Sequence, residues 1–418
     1  MIHYEKFKLA NGLRVIFHKD TSSPMAVVNT LYDVGARDED ESQTGFAHLF
    51  EHLMFGGSVN IPDFDAPLQR AGGESNAFTS NDITNYYDVV PAQNIETALW
   101  LESDRMLSLA FTEKSLEVQR NVVIEEFKQR YLNQPYGDVW LQLRPLAFKV
   151  HPYKWATIGK EISHIENAKM EDVRAFFTKF YHPSNAILTI AGNFELNEVK
   201  ELVEKWYGAI PSKPQPVRNL PKEPVQHEYR ELTIARNVPA DAFYYAFKMG
   251  NRLSASYYTA DLVSDIMGRG QSSILYQALI ANSQLATEIQ CYILGSLDDG
   301  LIIISGKLNE HSSFEELDKL IWEELTKMIQ QPVSDSTLTK VRNKWETGKA
   351  FSEMGLLSRA MNLALYELLG DIELINKEAD FYNQITVQDM QQFCSNVFNK
   401  QNCSLLKVTR KPNSQSHD

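Results

Sequence analysis

The stretch GFAHLFEHLMFGG places His48, Glu51 and His52 in the order His-x-x-Glu-His. On an α-helix, positions i and i+4 lie one above the other on the same face, so His48 and His52 can both reach one metal ion. Glu51 lies on the adjoining edge of that face, close enough to address a water on the metal rather than bind the metal itself. Two imidazoles suit Zn2+, which takes nitrogen ligands in tetrahedral geometry and keeps one position open in catalytic sites.

This is the inverse of the commoner His-Glu-x-x-His arrangement, and both orders occur among zinc peptidase motifs. A lone His on an amphipathic helix is ordinarily structural, and a pattern with three specified positions also arises by chance. Two features favour chemistry here. Three ionisable groups crowd a segment otherwise built of Phe46, Ala47, Leu49, Phe50, Leu53, Met54 and Phe55, where burying unpaired polar groups is costly. A candidate third ligand also lies downstream, on the helical stretch QRNVVIEEFKQR. Its neighbours Glu125 and Glu126 are about 100° apart around the axis. One of them should face inward with Val122 and Val123, and the pattern does not choose between them. Exposure on a helix surface is the commoner fate of either.

These residues need elements to hold them. The chain has 418 residues, enough for two or three domains of roughly 100–200 residues each. Five of its sixteen prolines fall in PSKPQPVRNLPKEP, 211–224, a stretch without apolar periodicity that reads as an extended linker. The parts on either side share a rhythm. The first opens with LRVIFHKD and MAVVNTLYDVG, then the loop ARDEDESQTG and the His48 helix. The second opens with YRELTIARN and DAFYYAFKMG, then NRLSAS and the helical stretch YYTADLVSDIMG. Helical spacing also runs over 95–110, 113–130 and 169–180. The expected fold class is α+β, with two structurally related domains, each a mainly antiparallel sheet with helices packed on one face.

Composition excludes some classes. Hydrophobic residues at 43% and charged residues at 23% are globular values, not those of a disordered or fibrous chain. A net charge of −13 argues against a nucleic-acid binder, whose footprint is basic. The densest apolar run, 301–304, is far short of the ~20 residues that a membrane span needs. Cys291, Cys394 and Cys403 are too few and too scattered for a disulfide framework. The N-terminus has no apolar signal core, so the expected location is cytoplasmic, or periplasmic if a leader was removed. The tail KPNSQSHD is expected to fray.

The wider pattern is more specific. GFAHLFEHLMFGGS, followed by GGESNAFTSNDITNYY and RNVVIEE, resembles the pitrilysin/insulinase family of zinc peptidases. Within that family it is most similar to the branch of the mitochondrial processing peptidase and its bacterial relatives. YHPSNAILTIAGNF resembles a strand late in the family's first domain, and the linker and second half-repeat fit its two-domain chain. The resemblance covers essentially the whole chain, more loosely after the linker. It implies a zinc-dependent metalloendopeptidase acting on peptides or unfolded segments. By it, 1–210 is the catalytic domain, 211–224 the linker, and 225–418 a related repeat without a metal site. His48, His52 and Glu126 become the Zn2+ ligands and Glu51 the general base. Asn76 and Ala77 fall on a strand where a peptide substrate pairs through its backbone, by β-augmentation. Without the resemblance, Asn76 reads as a turn residue after Gly72 and Gly73.

Two positions depart from the family pattern. A supporting glutamate one heptad before the third ligand is replaced by Gln119. An Arg and a Tyr that contact substrate from the second half align with Ile280 and Thr287. A second family subunit could supply those contacts in a heterodimer, or a homodimer could manage without them. A non-catalytic subunit that binds peptides for a partner is the competing reading. The complete set of His48, Glu51, His52 and Glu126 favours the enzyme. A structural zinc site is disfavoured, because two His and one Glu leave a fourth position open. His3, His18, His164, His227, His311 and His417 have no ligand-spaced partners, and His151 and His182 each precede a proline, which suggests turns.

Overall fold

Strand-length apolar runs, several of them buried on both faces, build two sheets. A computed structural model of the protein describes residues 1–411, so the tail expected to fray lies, from 412 on, outside the described residues. The first sheet contains β1 (Glu5–Lys8), β2 (Arg14–Lys19), β3 (Met25–Tyr32), β4 (Glu74–Thr79), β5 (Thr84–Pro91) and β6 (Ala186–Gly192), in the order β1-β2-β6-β3-β5-β4. The second contains β7 (Arg230–Arg236), β8 (Ala242–Met249), β9 (Ala286–Leu294), β10 (Gly300–Leu308) and β11 (Cys403–Arg410), in the order β7-β11-β8-β10-β9. Each has one parallel pair, β2 with β6 and β7 with β11, and is otherwise antiparallel. Leaving β1 aside, the two orders superimpose strand for strand, which is the duplicated α+β unit expected from the sequence.

The chain folds into two compact units. One comprises Met1–Phe127, Trp155–Leu220 and Lys349–Glu378, and the other Lys128–Lys154, Pro221–Gly348 and the chain from Ala379 on. Each unit therefore borrows a segment from beyond the proline-rich seam. The reason lies in the strands. On β8, Phe243, Tyr245 and Phe247 join one core, with the helices Ala255–Gly268, Phe314–Gln330 and Val387–Val397, while Ala242 and Ala246 face the other way. That second face is apolar too and is covered by Val139, Leu143 and Ala147 of the helix Val139–Ala147. In the first unit Ile16, Leu31 and Ile187 are likewise covered by Leu363 and Ala364 of the helix Leu356–Leu368. Sheets apolar on both faces need helices on both. The layer expected on one face is joined by a single helix on the other, drawn from the opposite half of the sequence.

The seam has no regular structure over 211–228. Arg218 holds it in the first unit, donating to Asp38 Oδ1 at 2.5 Å and Asp33 Oδ2 at 2.8 Å. Glu223 holds it in the second, accepting from the N–H groups of Lys149, Val150 and His151 at 2.8–2.9 Å and from Lys248 Nζ at 2.8 Å. Among the described residues no helix is long and apolar enough to cross a membrane.

Candidate metal centre

The His-x-x-Glu-His segment forms the helix Phe46–Leu53, which buries Phe46, Ala47, Leu49, Phe50 and Leu53 and turns His48, Glu51 and His52 to the half-buried face. Eight residues make a marginal helix in isolation, so its order comes from its surroundings. Phe50 packs at 5.0 Å from Phe176 and 5.1 Å from Tyr181, ring to ring. At the N-terminus the two oxygens of the buried Glu39 carboxyl group accept from Gly45 N–H at 2.9 Å and Ala47 N–H at 2.8 Å, satisfying donors that a helix start leaves open. Thr44 N–H lies 3.2 Å from His164 Nδ1, so this histidine braces the site helix from 120 residues away. Gly45 sits at φ 89° against Ile158 O, where a Cβ would come within 2.7 Å.

Glu126 projects toward the two histidines from the helix Glu113–Phe127. Its Oε2 lies 3.7 Å from His48 Nε2 and 3.4 Å from His52 Nε2. Glu125 is exposed. Of the two valines expected to point inward, Val123 is fully buried but Val122 is 44% exposed. The inward face thus runs through Val123, Glu126 and Phe127. One ligand atom from each of His48, His52 and Glu126 lies within 4.8 Å of the others, the one such group found among the described residues. Two atoms each about 2.0–2.1 Å from a tetrahedral ion are about 3.4 Å apart, so the separations and the two-nitrogen, one-oxygen donor set suit Zn2+.

Glu51 points to the neighbouring strand. Thr79 Oγ1 donates to Glu51 Oε2 at 2.6 Å. Burial raises the Glu51 carboxyl above its ordinary value, while the Thr79 hydroxyl and the His52 ring pull it back. Thr79 closes β4, one of the two edge strands of the first sheet. Asn76 and Ala77 lie in the middle of that strand, opposite Tyr87 and Tyr86 of β5, so the turn reading of Asn76 fails. The Asn76 side chain is exposed, and its Oδ1 accepts from Ala77 N–H at 2.8 Å. Ile280 is half-buried against the core of the second unit, and Thr287 is exposed on β9.

Sequence reasoning passed over three supports. Thr79 was findable, since it lies two residues beyond Ala77 on a strand of period two. Glu39 sits in a polar loop with no local signal. Arg105 is buried with its guanidinium 4.4 Å above the Phe64 ring and 4.5 Å above Tyr86, paired with Glu102. It thereby backs Phe55, which follows the site helix and packs on both rings.

A family model described as insulinase (peptidase family M16) matches residues 14–154, and one described as the peptidase M16 inactive domain matches 167–344. The chain belongs to the insulinase family of peptidases. His48, Glu51, His52 and Glu126 all fall within the first match. This M16 chain is 29% identical over 345 residues to zinc protease PqqE of Helicobacter pylori, across 81% of this chain and 78% of that protein. It is 26% identical over 322 residues to the mitochondrial-processing peptidase subunit beta of Saccharomyces cerevisiae, across 73% of this chain and 69% of that protein. The crystal structure of a protease from Helicobacter pylori superposes with a TM-score of 0.93 at 26% identity, covering 98% of this chain and 100% of that one.

Proposed function

We propose that this chain is a zinc-dependent metalloendopeptidase that hydrolyses peptide bonds in peptides or unfolded segments. The observation that supports it most directly is the convergence of His48, His52 and Glu126 within 4.8 Å, with a fourth ionisable group, Glu51, held beside them by a different partner. His48, His52 and Glu126 would hold Zn2+, which supplies Lewis acidity for the scissile carbonyl and lowers the pKa of water. Glu51 takes the proton of the attacking water and passes it to the leaving amine, as general base and then general acid. The open edge of β4 at Asn76 and Ala77 receives the peptide backbone in extended form, with affinity from main-chain hydrogen bonds and little demand on side chains. Gln119 leaves the Glu126 helix without the family's second carboxylate, so at that position only a neutral amide can act on the site.

Glu51→Gln removes the proton acceptor and keeps the shape. The expected outcome is wild-type zinc content with turnover lowered about 10²–10⁴-fold, measured by metal analysis and by chelator-sensitive cleavage of a peptide library. Cleavage by Glu51→Gln at the wild-type rate would falsify the assignment.

A second subunit of the same family is the partner we favour. Ile280 is committed to packing and Thr287 is short and neutral, so neither supplies the charged and phenolic contacts expected there. The yeast relative is itself named a subunit. Size-exclusion chromatography coupled to the peptidase assay decides: full turnover from this chain alone leaves a homodimer or monomer and removes the heterodimer. A chain that binds zinc and peptides but cleaves only in a partner's site would instead be the non-catalytic subunit.

A further inference from the structure

Glu51 is one flexible side chain among rigidly placed neighbours, and its terminal torsion is intrinsically broad. Something has to choose its orientation. Thr79 Oγ1 lies 2.6 Å from Glu51 Oε2. A threonine hydroxyl has one proton to donate, and here it is spent on Oε2. We propose that Thr79 is a positioning residue for peptide hydrolysis: it holds Glu51 by one carboxylate oxygen and leaves the other, Oε1, to exchange protons with the reacting groups. The inference rests on the reading of Glu51 as the base. It extends that reading by tying the base to the strand that receives the peptide.

The strand makes the tie geometric. On β4 the half-buried residues are Ser75, Ala77 and Thr79, and the exposed ones are Glu74, Asn76 and Phe78. Ala77 and Thr79 therefore share a face of one rigid strand, and a peptide aligned on Ala77 is aligned with the carboxylate that Thr79 holds. The proton of Thr79 stays on Oγ1 throughout, so it takes no part in the transfer. Nor does the fold need this hydroxyl. The turn that follows is held by Ser80 N–H to Ile83 O at 2.8 Å and by Ser80 Oγ accepting from Asp82 and Ile83 N–H at 3.1 Å. Thr79 itself stays in register with Thr84 through the main chain.

The test uses the full chain, zinc-loaded, with Thr79→Val (same shape, no hydroxyl) and Thr79→Ser (hydroxyl kept). The substrate is a pool of internally quenched decapeptides. Thr79→Val is expected to lower kcat by about ten- to a hundredfold, the scale of a misplaced catalytic group. Its KM should stay within about twofold and its zinc content and melting temperature should match wild type. Thr79→Ser should return kcat to within about threefold. Crystal structures of the same three proteins give a readout independent of turnover, with one Glu51 conformer in wild type and Thr79→Ser and more than one in Thr79→Val. Unchanged kcat and a single conformer in Thr79→Val overturn the inference. So does a loss of zinc or of stability in Thr79→Val, or a Thr79→Ser protein as impaired as Thr79→Val, since the role would then be structural. A wild-type chain that cleaves nothing with or without a partner removes the reading of Glu51 itself, and this inference with it.

Discussion

The helix after β3 and the helix after β8 stand at the same step of the repeated topology, yet only the first carries the metal-ligating pattern. The first, Phe46–Leu53, is eight residues long, leaves one face half-open and depends on Glu39, Thr44 with His164, and the rings of Phe176 and Tyr181. The second, Ala255–Gly268, has fourteen residues and is buried along most of its length. Its acids are consumed by neighbours: Asp261 accepts from Tyr382 OH at 2.7 Å, and Asp265 pairs with Arg269 at 2.9 Å and Lys344 at 3.2 Å. At its end the Gly268 backbone lies so close to β9 that a Cβ would sit 2.3 Å from Cys291 N. A helix that keeps ligand nitrogens open cannot bury that face, so its stability must be imported. A helix freed of that duty can pack on every side.

This contrast is breakable. The largest expected effect comes from His52→Ala, which should abolish zinc binding in the metal assay and cut turnover on the order of a thousandfold, several kcal/mol of transition-state stabilisation. Asp261→Asn in the counterpart helix should leave both unchanged. If His52→Ala retained zinc at wild-type affinity, the two helices would not differ in the way described. Next is Phe50→Ala, expected to cost about 3–5 kcal/mol in denaturant unfolding and to weaken zinc binding as well, because the same rings hold the helix and its ligands. Gly268→Ala should cost about 1–3 kcal/mol by overpacking without touching zinc affinity. Equal zinc affinities for both variants would mean that the site helix does not depend on its aromatic support.

The smallest effects are in pH. Burial pushes the Glu39 carboxyl up from 4.5 to about 8, against the pull of the Ala47 and Gly45 N–H groups and with help from the nearby Asp38 charge. The folded state then holds a proton that the unfolded chain releases, so Glu39 favours folding fully below pH 4.5 and loses that contribution as pH rises through about 8. Glu223 in the second unit behaves oppositely. Burial works against it, but the N–H groups of His151, Lys149 and Val150 and the Lys248 ammonium hold it down to about 2. Its contribution is present above 4.5 and is lost as pH falls toward 2. Unfolding midpoints across pH should flatten between about 4.5 and 8 in Glu39→Gln and between about 2 and 4.5 in Glu223→Gln. Curves that move on the same side in both variants would contradict these assignments.

Much of the molecule follows from local pattern. The short apolar runs in LRVIFHKD and DAFYYAFKMG become β2 and β8 because strand-length stretches this apolar can be buried on both faces of a sheet. His48, Glu51 and His52 share a helix face for a local reason too, helical periodicity. Glu125 and Glu126 could not be separated that way. Both were compatible with the helix, and only the packing of Val123 against the core, with Val122 left outside, turns Glu126 to the histidines. Thr79 was one step of alternation beyond a residue already singled out, yet its partner lies 28 residues away. Glu39 had no pattern to betray it, since a cap supplied from a loop depends on how that loop returns.

By itself the sequence determined which groups exist and which neighbours along the chain share a face: the His-x-x-Glu-His order, the proline-rich seam and the doubled rhythm of strands and helices. These are matters of backbone periodicity and fixed spacing, decided within one turn or one strand. Which glutamate meets the histidines was left open by spacing, assigned to Glu126 by the family resemblance and given its physical reason by the tertiary structure, which alone decided which hydroxyl holds Glu51 and which half of the chain covers the second face of each sheet. Those choices join residues far apart in sequence. They are settled by burial and by the matching of donors to acceptors, which no local spacing records.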